Sequence, residues 1–350
     1  MILGMSLYPT DTDLAKKAVC MQAEELGVKL FFVSLHIPEA TGLHDFVDWL
    51  KTLNIKHGYH FFADISPLTL ERLEISIADI GKLQNYGIIG VRIDFGFTIK
   101  EISSIAETGL QVALNASTIT EADLIEMKVD NLIGWHNYYP RPESGITEQY
   151  FLEQNELLRK YNIPIYSFIP GDEFLRAPLF LKLPMLEQQR QKTAYVNFML
   201  QMRKYKVDKI FIAEGIIDQA NCDYITKYLK MGQISFPLSR VEPALYESMK
   251  DHGWSVRIEQ NAISWRLENT RGYNKYIHET TLDRSAKRTR GTIFMDSSMQ
   301  GRYAGEIHLI HTDASQNDKT ICVGVMHKDY FDILDVLQGN PVILFTIIDQ

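Results

Sequence analysis

Carboxylates, an arginine, a histidine and side-chain amides recur in this sequence where short apolar runs end. In Gly90-Val91-Arg92-Ile93-Asp94-Phe95-Gly96, strand alternation turns Arg92 and Asp94 to one face and Val91, Ile93 and Phe95 to the other. Asp64 closes the preceding run, Tyr59-His60-Phe61-Phe62-Ala63-Asp64. Neighbouring strands lie about 5 Å apart, so Asp64 and Asp94 would form a carboxylate pair beside one guanidinium. Such a pair does not ionise fully, and one carboxyl rises towards the range of an acid catalyst unless Arg92 neutralises it. The competing reading of Asp64 is a helix cap ahead of Ser66-Pro67. Glu214, at the end of Ile210–Glu214, is a third carboxylate and equally fits a solvated cap. A pair spanning roughly 6.5–9.5 Å leaves room for an attacking water, and one at about 5–5.5 Å suits a nucleophile with its acid. The sequence leaves both open.

The segment Gly134-Trp135-His136-Asn137-Tyr138-Tyr139-Pro140-Arg141-Pro142 mixes aromatic rings with hydrogen-bonding groups. Sugars present apolar ring faces edged by hydroxyls, so this mixture fits a glycan site, with a proline-stiffened loop as the plainer alternative. Tyr8, His36 and Asn115 sit at the ends of other runs and join the candidate binding set. His36, His136, Asp64 and Glu214 are types that could ligate a divalent metal. No HxH or HExxH spacing supports a metal, and no strand end carries the lysine that a pyridoxal-phosphate enzyme requires. No metal and no cofactor are therefore expected. The cluster Arg284-Ser285-Ala286-Lys287-Arg288-Thr289-Arg290 reads as a solvated loop, or as a partner for a substrate phosphate.

These residues need a frame that gathers run ends together. Apolar runs at Ile2–Tyr8, Phe31–His36, Phe61–Asp64, Val91–Asp94, Val112–Asn115, Leu132–His136, Ile163–Ile169 and Asp208–Glu214 alternate with helical stretches. Those stretches are Leu14–Leu26, Thr41–Leu53, Ser66–Tyr86, Thr98–Thr108, Thr120–Lys128, Gly145–Tyr161, Met185–Tyr205 and Asp218–Met231. Eight strand-helix units in about 230 residues predict an α/β fold, a (β/α)8 TIM barrel over residues 1–233, with the polar run ends on its C-terminal rim. From Ile234 the rhythm changes to strand-like runs interrupted by Pro237 and Pro243, which predicts a smaller, mainly-β domain over 234–350.

The 350 residues are too many for one ordinary core. With 44 acidic against 36 basic residues, the chain has no general cationic surface for nucleic acid. The start MILGMSLYPTDTD lacks a basic n-region and a long apolar stretch, so no membrane association is expected and a cytoplasmic location is. Cys20, Cys222 and Cys322 lie far apart without a CxxC spacing, which argues against a disulfide framework or zinc site.

Taken together, GMSLYP at the first run, Asp64-Ile65-Ser66-Pro67, GVRIDFGF, Asn115-Ala116-Ser117, GWHNYYP and GRYAGE resemble one bacterial family across nearly the whole chain. It is the 6-phospho-N-acetylmuramidase family, whose members pair a (β/α)8 barrel with a C-terminal cyclophilin-like domain. The resemblance implies hydrolysis of the β-1,4 bond between N-acetylmuramic acid 6-phosphate and N-acetylglucosamine in the cytoplasm, during recycling of cell-wall (peptidoglycan) sugars. It implies Asp64 and Asp94 as catalytic carboxylates; Glu214 departs from the family pattern and is kept as a reserve partner only from its place at the end of the eighth run. Tyr8, His36, Arg92, Asn115, His136, Asn137 and Tyr139 would bind the phosphorylated amino-sugar disaccharide. Thr10 stands where an acidic residue can follow Tyr-Pro, leaving Asp11 as its substitute. Two further readings are kept: a metal-dependent sugar-phosphate isomerase or epimerase, and a non-catalytic carbohydrate-binding protein. Whether the chain forms a homo-oligomer is left open.

Overall fold

The computed structural model describes residues 2–37, 41–93, 95–127, 129, 131–279, 282 and 284–348. Asp94 lies outside the described residues. The chain divides into two compact units, Met1–Ala194 with Tyr205–Asp218, and Tyr195–Lys204 with Gln219–Gln350.

In the first unit eight strands form a closed barrel in sequential order. They are β1 (Leu3–Leu7), β2 (Leu30–Ser34), β3 (His60–Ile65), β4 (Ile88–Ile93), β5 (Gln111–Asn115), β6 (Ile133–Trp135), β7 (Ile165–Ile169) and β8 (Lys209–Ile212). Each pairs in parallel with its neighbours, and β8 closes on β1. Between the first seven strands run α1 (Asp13–Leu26), α2 (Leu43–His57), α3 (Pro67–Arg72), α4 (Ile99–Glu107), α5 (Glu121–Glu126) and α6 (Glu148–Lys160). Their starts follow from capping chemistry: Thr12, Ser66, Thr98, Thr120 and Thr147 each accept a backbone N–H of the first turn.

Two helical expectations are corrected. The stretch Ser66–Tyr86 is not one helix: α3 ends at Arg72, Glu74 adopts a positive φ of 53°, and a 3₁₀ helix covers Ile77–Tyr86. Met185–Tyr205 is likewise divided, into a 3₁₀ turn at Glu187–Gln191, an α-helical part at Ala194–Met199 and a π-helical part at Leu200–Tyr205.

The barrel interior is aromatic. Trp135 lies at its centre, with ring centroids at 5.4 Å from Phe32, 5.4 Å from Phe62, 5.5 Å from Phe168, 5.2 Å from Tyr166 and 4.3 Å from Phe211. Small residues make room for these rings. A Cβ on Gly4 would meet the Phe211 ring at 2.4 Å, and one on Gly90 would meet Phe62 at 2.3 Å.

The second unit holds a seven-stranded sheet in the order β10, β15, β9, β14, β12, β13, β11. Its strands are β9 (Gln233–Val241), β10 (Trp254–Ser255), β11 (Ser264–Arg266), β12 (Thr292–Asp296), β13 (Ile307–Ile310), β14 (Thr320–Met326) and β15 (Val342–Ile347). Pro237, expected to interrupt the strand-like runs, lies inside β9. The proline has no N–H to give, but its carbonyl accepts from His327 at 2.9 Å, beside a register shift in the β9–β14 pairing. Among the described residues, no helix is long and apolar enough to cross a membrane.

Candidate active site

At the C-terminal end of the barrel, polar side chains stand above the aromatic interior. Phe62 of β3 faces the barrel core, so Asp64, two residues on, faces the same way. Register sets Asp64 opposite Arg92 of β4, and Arg92 Nη1 donates to Asp64 Oδ1 at 3.0 Å. Both are buried, Arg92 at 2% exposure and Asp64 at 9%. Ser66, not Asp64, caps α3, which leaves the Asp64 carboxylate for the guanidinium. Asn115 ends β5 on the same inward face as Ala113, and its Oδ1 accepts the Ser117 N–H at 3.0 Å. His36 stands on the rim, with Nδ1 2.7 Å from Ser66 Oγ and its ring edge-on to Phe95 at 5.0 Å.

On the opposite side, a group of four residues crowds the mouth. Tyr8 donates its hydroxyl to Ala213 O at 2.5 Å, and Asp11 Oδ2 accepts the Tyr8 N–H at 2.9 Å. The Arg176 guanidinium lies 4.1 Å from the Tyr8 ring centroid and donates to the Tyr138 hydroxyl at 3.0 Å. Tyr138 packs edge-on against Phe168 at 5.0 Å, which ties this group to the aromatic floor. Burial pushes both tyrosine hydroxyls above their usual range, so they act as neutral hydrogen-bonding groups. Burial also raises the Asp11 carboxyl to about 6, against the opposing pull of the Tyr8 N–H and Arg176.

A profile described as 6-phospho-N-acetylmuramidase, N-terminal, matches residues 3–227, and its companion, 6-phospho-N-acetylmuramidase, C-terminal, matches residues 235–346. The chain belongs to the 6-phospho-N-acetylmuramidase family. Among solved structures, it is similar to a conserved Enterococcus faecalis protein of unknown function, with 25% identity, a TM-score of 0.86, and coverage of 99% of this chain and 96% of that one. An uncharacterized B. cereus protein has the same fold, with 18% identity, a TM-score of 0.78, and 99% of each chain covered. No curated protein matches the chain.

The barrel places the expected site residues unequally. Tyr8, Asp64, Arg92 and Asn115 are inward-facing at the strand ends, and His36 is on the rim. Asn137 is half-buried, with its backbone N–H 3.4 Å from Ser117 Oγ and its own Oδ1 accepting the Tyr138 N–H. His136 is not in the mouth. Ile133 and Trp135 take the inward positions of β6, so His136 points outward to α6, where it meets Asn155 Oδ1 at 2.8 Å and the Phe151 ring at 4.6 Å. Its other nitrogen is 3.1 Å from Ser117 Oγ. Burial lowers its pKa to about 4, so the imidazole is neutral and holds β6 to α6. Tyr139 holds a loop through its backbone, donating to Pro184 O at 2.8 Å and accepting from Arg190 at 3.1 Å.

Glu214 does not face β4 across the barrel. β8 ends at Ile212, Ala213 takes the inward position, and the Glu214 carboxylate instead accepts the Arg176 N–H at 2.6 Å. It is 1% exposed, and burial raises its pKa to about 7. Phe95, expected beneath the helices, is 57% exposed because β4 ends two residues earlier. Tyr138 and Arg176 were not singled out from sequence. The one signal for Arg176 was a lone charge in the apolar stretch Phe174-Leu175-Arg176-Ala177-Pro178-Leu179-Phe180. Among the described residues, no three His, Cys, Asp or Glu side chains are grouped as a metal ion requires.

Proposed function

We propose that this chain is a glycosidase that hydrolyses the β-1,4 bond of 6-phospho-N-acetylmuramyl-N-acetylglucosamine, acting in the cytoplasm in the recycling of peptidoglycan sugars. The observation that carries this reading is the buried Asp64–Arg92 pair above the aromatic floor, in a chain belonging to the 6-phospho-N-acetylmuramidase family. In the reaction the C1–O4 bond breaks, the leaving O4 takes a proton, and water supplies the hydroxyl at C1. Asp64, held by Arg92, is suited to stabilising positive charge at C1 or to orienting the substrate's 2-acetamido group as an internal nucleophile. Asp94 is assigned its carboxylate role from the family motif alone. Asp11, half-buried and titrating at about 6, suits the proton transfer to O4, because an acid poised near the working pH both holds and releases its proton.

Tyr8, Tyr138, Asn115 and Asn137 offer hydroxyls and amides to the sugars. Arg176 gives one of its five N–H groups to Tyr138, and its planar fork matches a phosphate. It is therefore assigned to the 6-phosphate. Steady-state kinetics on phosphorylated and unphosphorylated disaccharide test the assignment. Arg176→Gln is expected to raise KM for the phosphorylated substrate by about tenfold or more, leaving turnover of the unphosphorylated one as it is in wild type. An equal loss on both substrates would remove Arg176 from the phosphate.

A further inference from the structure

The motif Gly301-Arg302-Tyr303-Ala304-Gly305-Glu306 lies in the second unit. Gly305 has φ +88°, and a Cβ there would stand 2.5 Å from Tyr273 N and 2.6 Å from Gly272 N. Only glycine lets the two loops meet so closely, and the Gly272 N–H donates to Ala304 O at 2.8 Å. The contact brings Arg271 and Arg302 to the same tyrosine, with guanidinium carbons 4.8 Å and 4.9 Å from the Tyr303 ring centroid.

Glu306 follows at once and is buried, at 2% exposure. Three guanidiniums surround its carboxylate: Arg257 at 3.0 Å, Arg266 at 3.6 Å and Arg271 at 3.6 Å. All three contacts are ion pairs without hydrogen-bond geometry, and among the described residues Glu306 Oε1 and the buried Arg257 Nε and Arg266 Nε have no hydrogen-bond partner. Asp296, whose N–H donates to Glu306 O at 2.9 Å, adds a second carboxylate nearby, 3.3 Å from His308. Four arginines against the Glu306 and Asp296 carboxylates leave a local charge of about +2, on a chain whose formal net charge is −8. All four remain at least one-quarter exposed or lie on the surface.

We propose that Arg257, Arg266, Arg271 and Arg302 form a phosphoryl-binding site in the second unit, with Glu306 as the internal anchor that holds the guanidiniums in place. Planar guanidinium forks pair bidentately with a compact dianion, and several together neutralise it. The ligand is either inorganic phosphate or the phosphate ester of a sugar. The proposal does not depend on the reaction proposed for the barrel.

Isothermal titration calorimetry on the full chain carrying Arg176→Gln separates this site from the barrel. The probes are inorganic phosphate and N-acetylglucosamine 6-phosphate. At least one is expected to bind with a Kd of about 1 mM or tighter, and the tighter of the two identifies the source. Adding Arg271→Gln and Arg302→Gln is expected to weaken that binding about tenfold or more. If the glutamine chain fails to fold, Arg271→Lys with Arg302→Lys decides instead, because it keeps the charge but loses the fork, and weaker binding is again expected. The proposal is overturned if neither probe binds, or if the folded variants bind as tightly as their parent.

Discussion

Asp64 and Arg92 show what register does for a single residue. Arg92 was read from alternation and Asp64 from its place at the end of an apolar run, and pairing β3 with β4 puts guanidinium against carboxylate with both buried. Asp64→Asn keeps the shape and an acceptor oxygen but removes the carboxylate charge that meets Arg92 Nη1. Urea denaturation should show a loss of about 3 kcal/mol. Glu214 is the opposite case, a buried carboxyl that accepts the Arg176 backbone N–H and that burial raises from 4.5 to about 7. The folded state holds this proton more tightly than the unfolded chain does. Its stability contribution is full below pH 4.5 and falls as pH rises through about 7, by up to about 3 kcal/mol. Glu214→Gln should flatten that fall in thermal melts recorded between pH 5 and pH 8, estimated as roughly the window the shift spans; an unchanged slope would show that Glu214 is not its source. Alternation was legible only as far as the strands extend. It placed Arg92 and Asn115, and it did not serve for Phe95, two residues past the end of β4; His136 and Glu214, chosen as run ends, turn outward because Trp135 and Ala213 hold the inward positions.

At the scale of elements, two connections shape the mouth. The chain after β7 is clamped to the chain after β8, with Glu173 bridged to Ile216 and the Arg176 N–H on Glu214. Gly215, at φ +51°, allows this, since a Cβ there would lie 1.9 Å from Glu173 O. Gly215→Ala should displace the Arg176 loop and lower kcat/KM by about a hundredfold, with a smaller effect on the melting temperature; full activity would show that this clamp does not position the site. The second connection is β6 to α6, held by His136 and Asn155. Asn155→Leu removes the acceptor for the imidazole N–H and should cost about 1–3 kcal/mol in urea denaturation without changing KM. A large KM change would mean His136 reaches the substrate. Sequence showed neither connection, because both depend on side chains that meet only after the barrel closes. Element type was legible where capping was strong, as at α1 and α4, and was lost where a positive φ at Glu74 or a carbonyl contact at Pro237 overrode the local pattern.

Across the whole molecule, the strand-helix rhythm was enough to read the barrel, since eight apolar runs became eight sequentially paired strands. The interior could not be read in the same way. Six rings, Phe32, Phe62, Trp135, Tyr166, Phe168 and Phe211, come from five strands and form one cluster only by closure. That cluster makes a dry apolar floor beneath charged groups, where electrostatic contacts are stronger than in water. The account's central claim is that these charged groups cleave a phosphorylated amino-sugar disaccharide. The most direct measurement is a proton NMR time course of purified protein with 6-phospho-N-acetylmuramyl-N-acetylglucosamine, run beside the unphosphorylated disaccharide and the Asp64→Asn variant. The account predicts stoichiometric release of N-acetylglucosamine and N-acetylmuramic acid 6-phosphate, with a strong preference for the phosphorylated substrate and a rate about a hundredfold lower in the variant. An intact disaccharide after prolonged incubation with folded wild-type protein, or wild-type rates from Asp64→Asn, would contradict it.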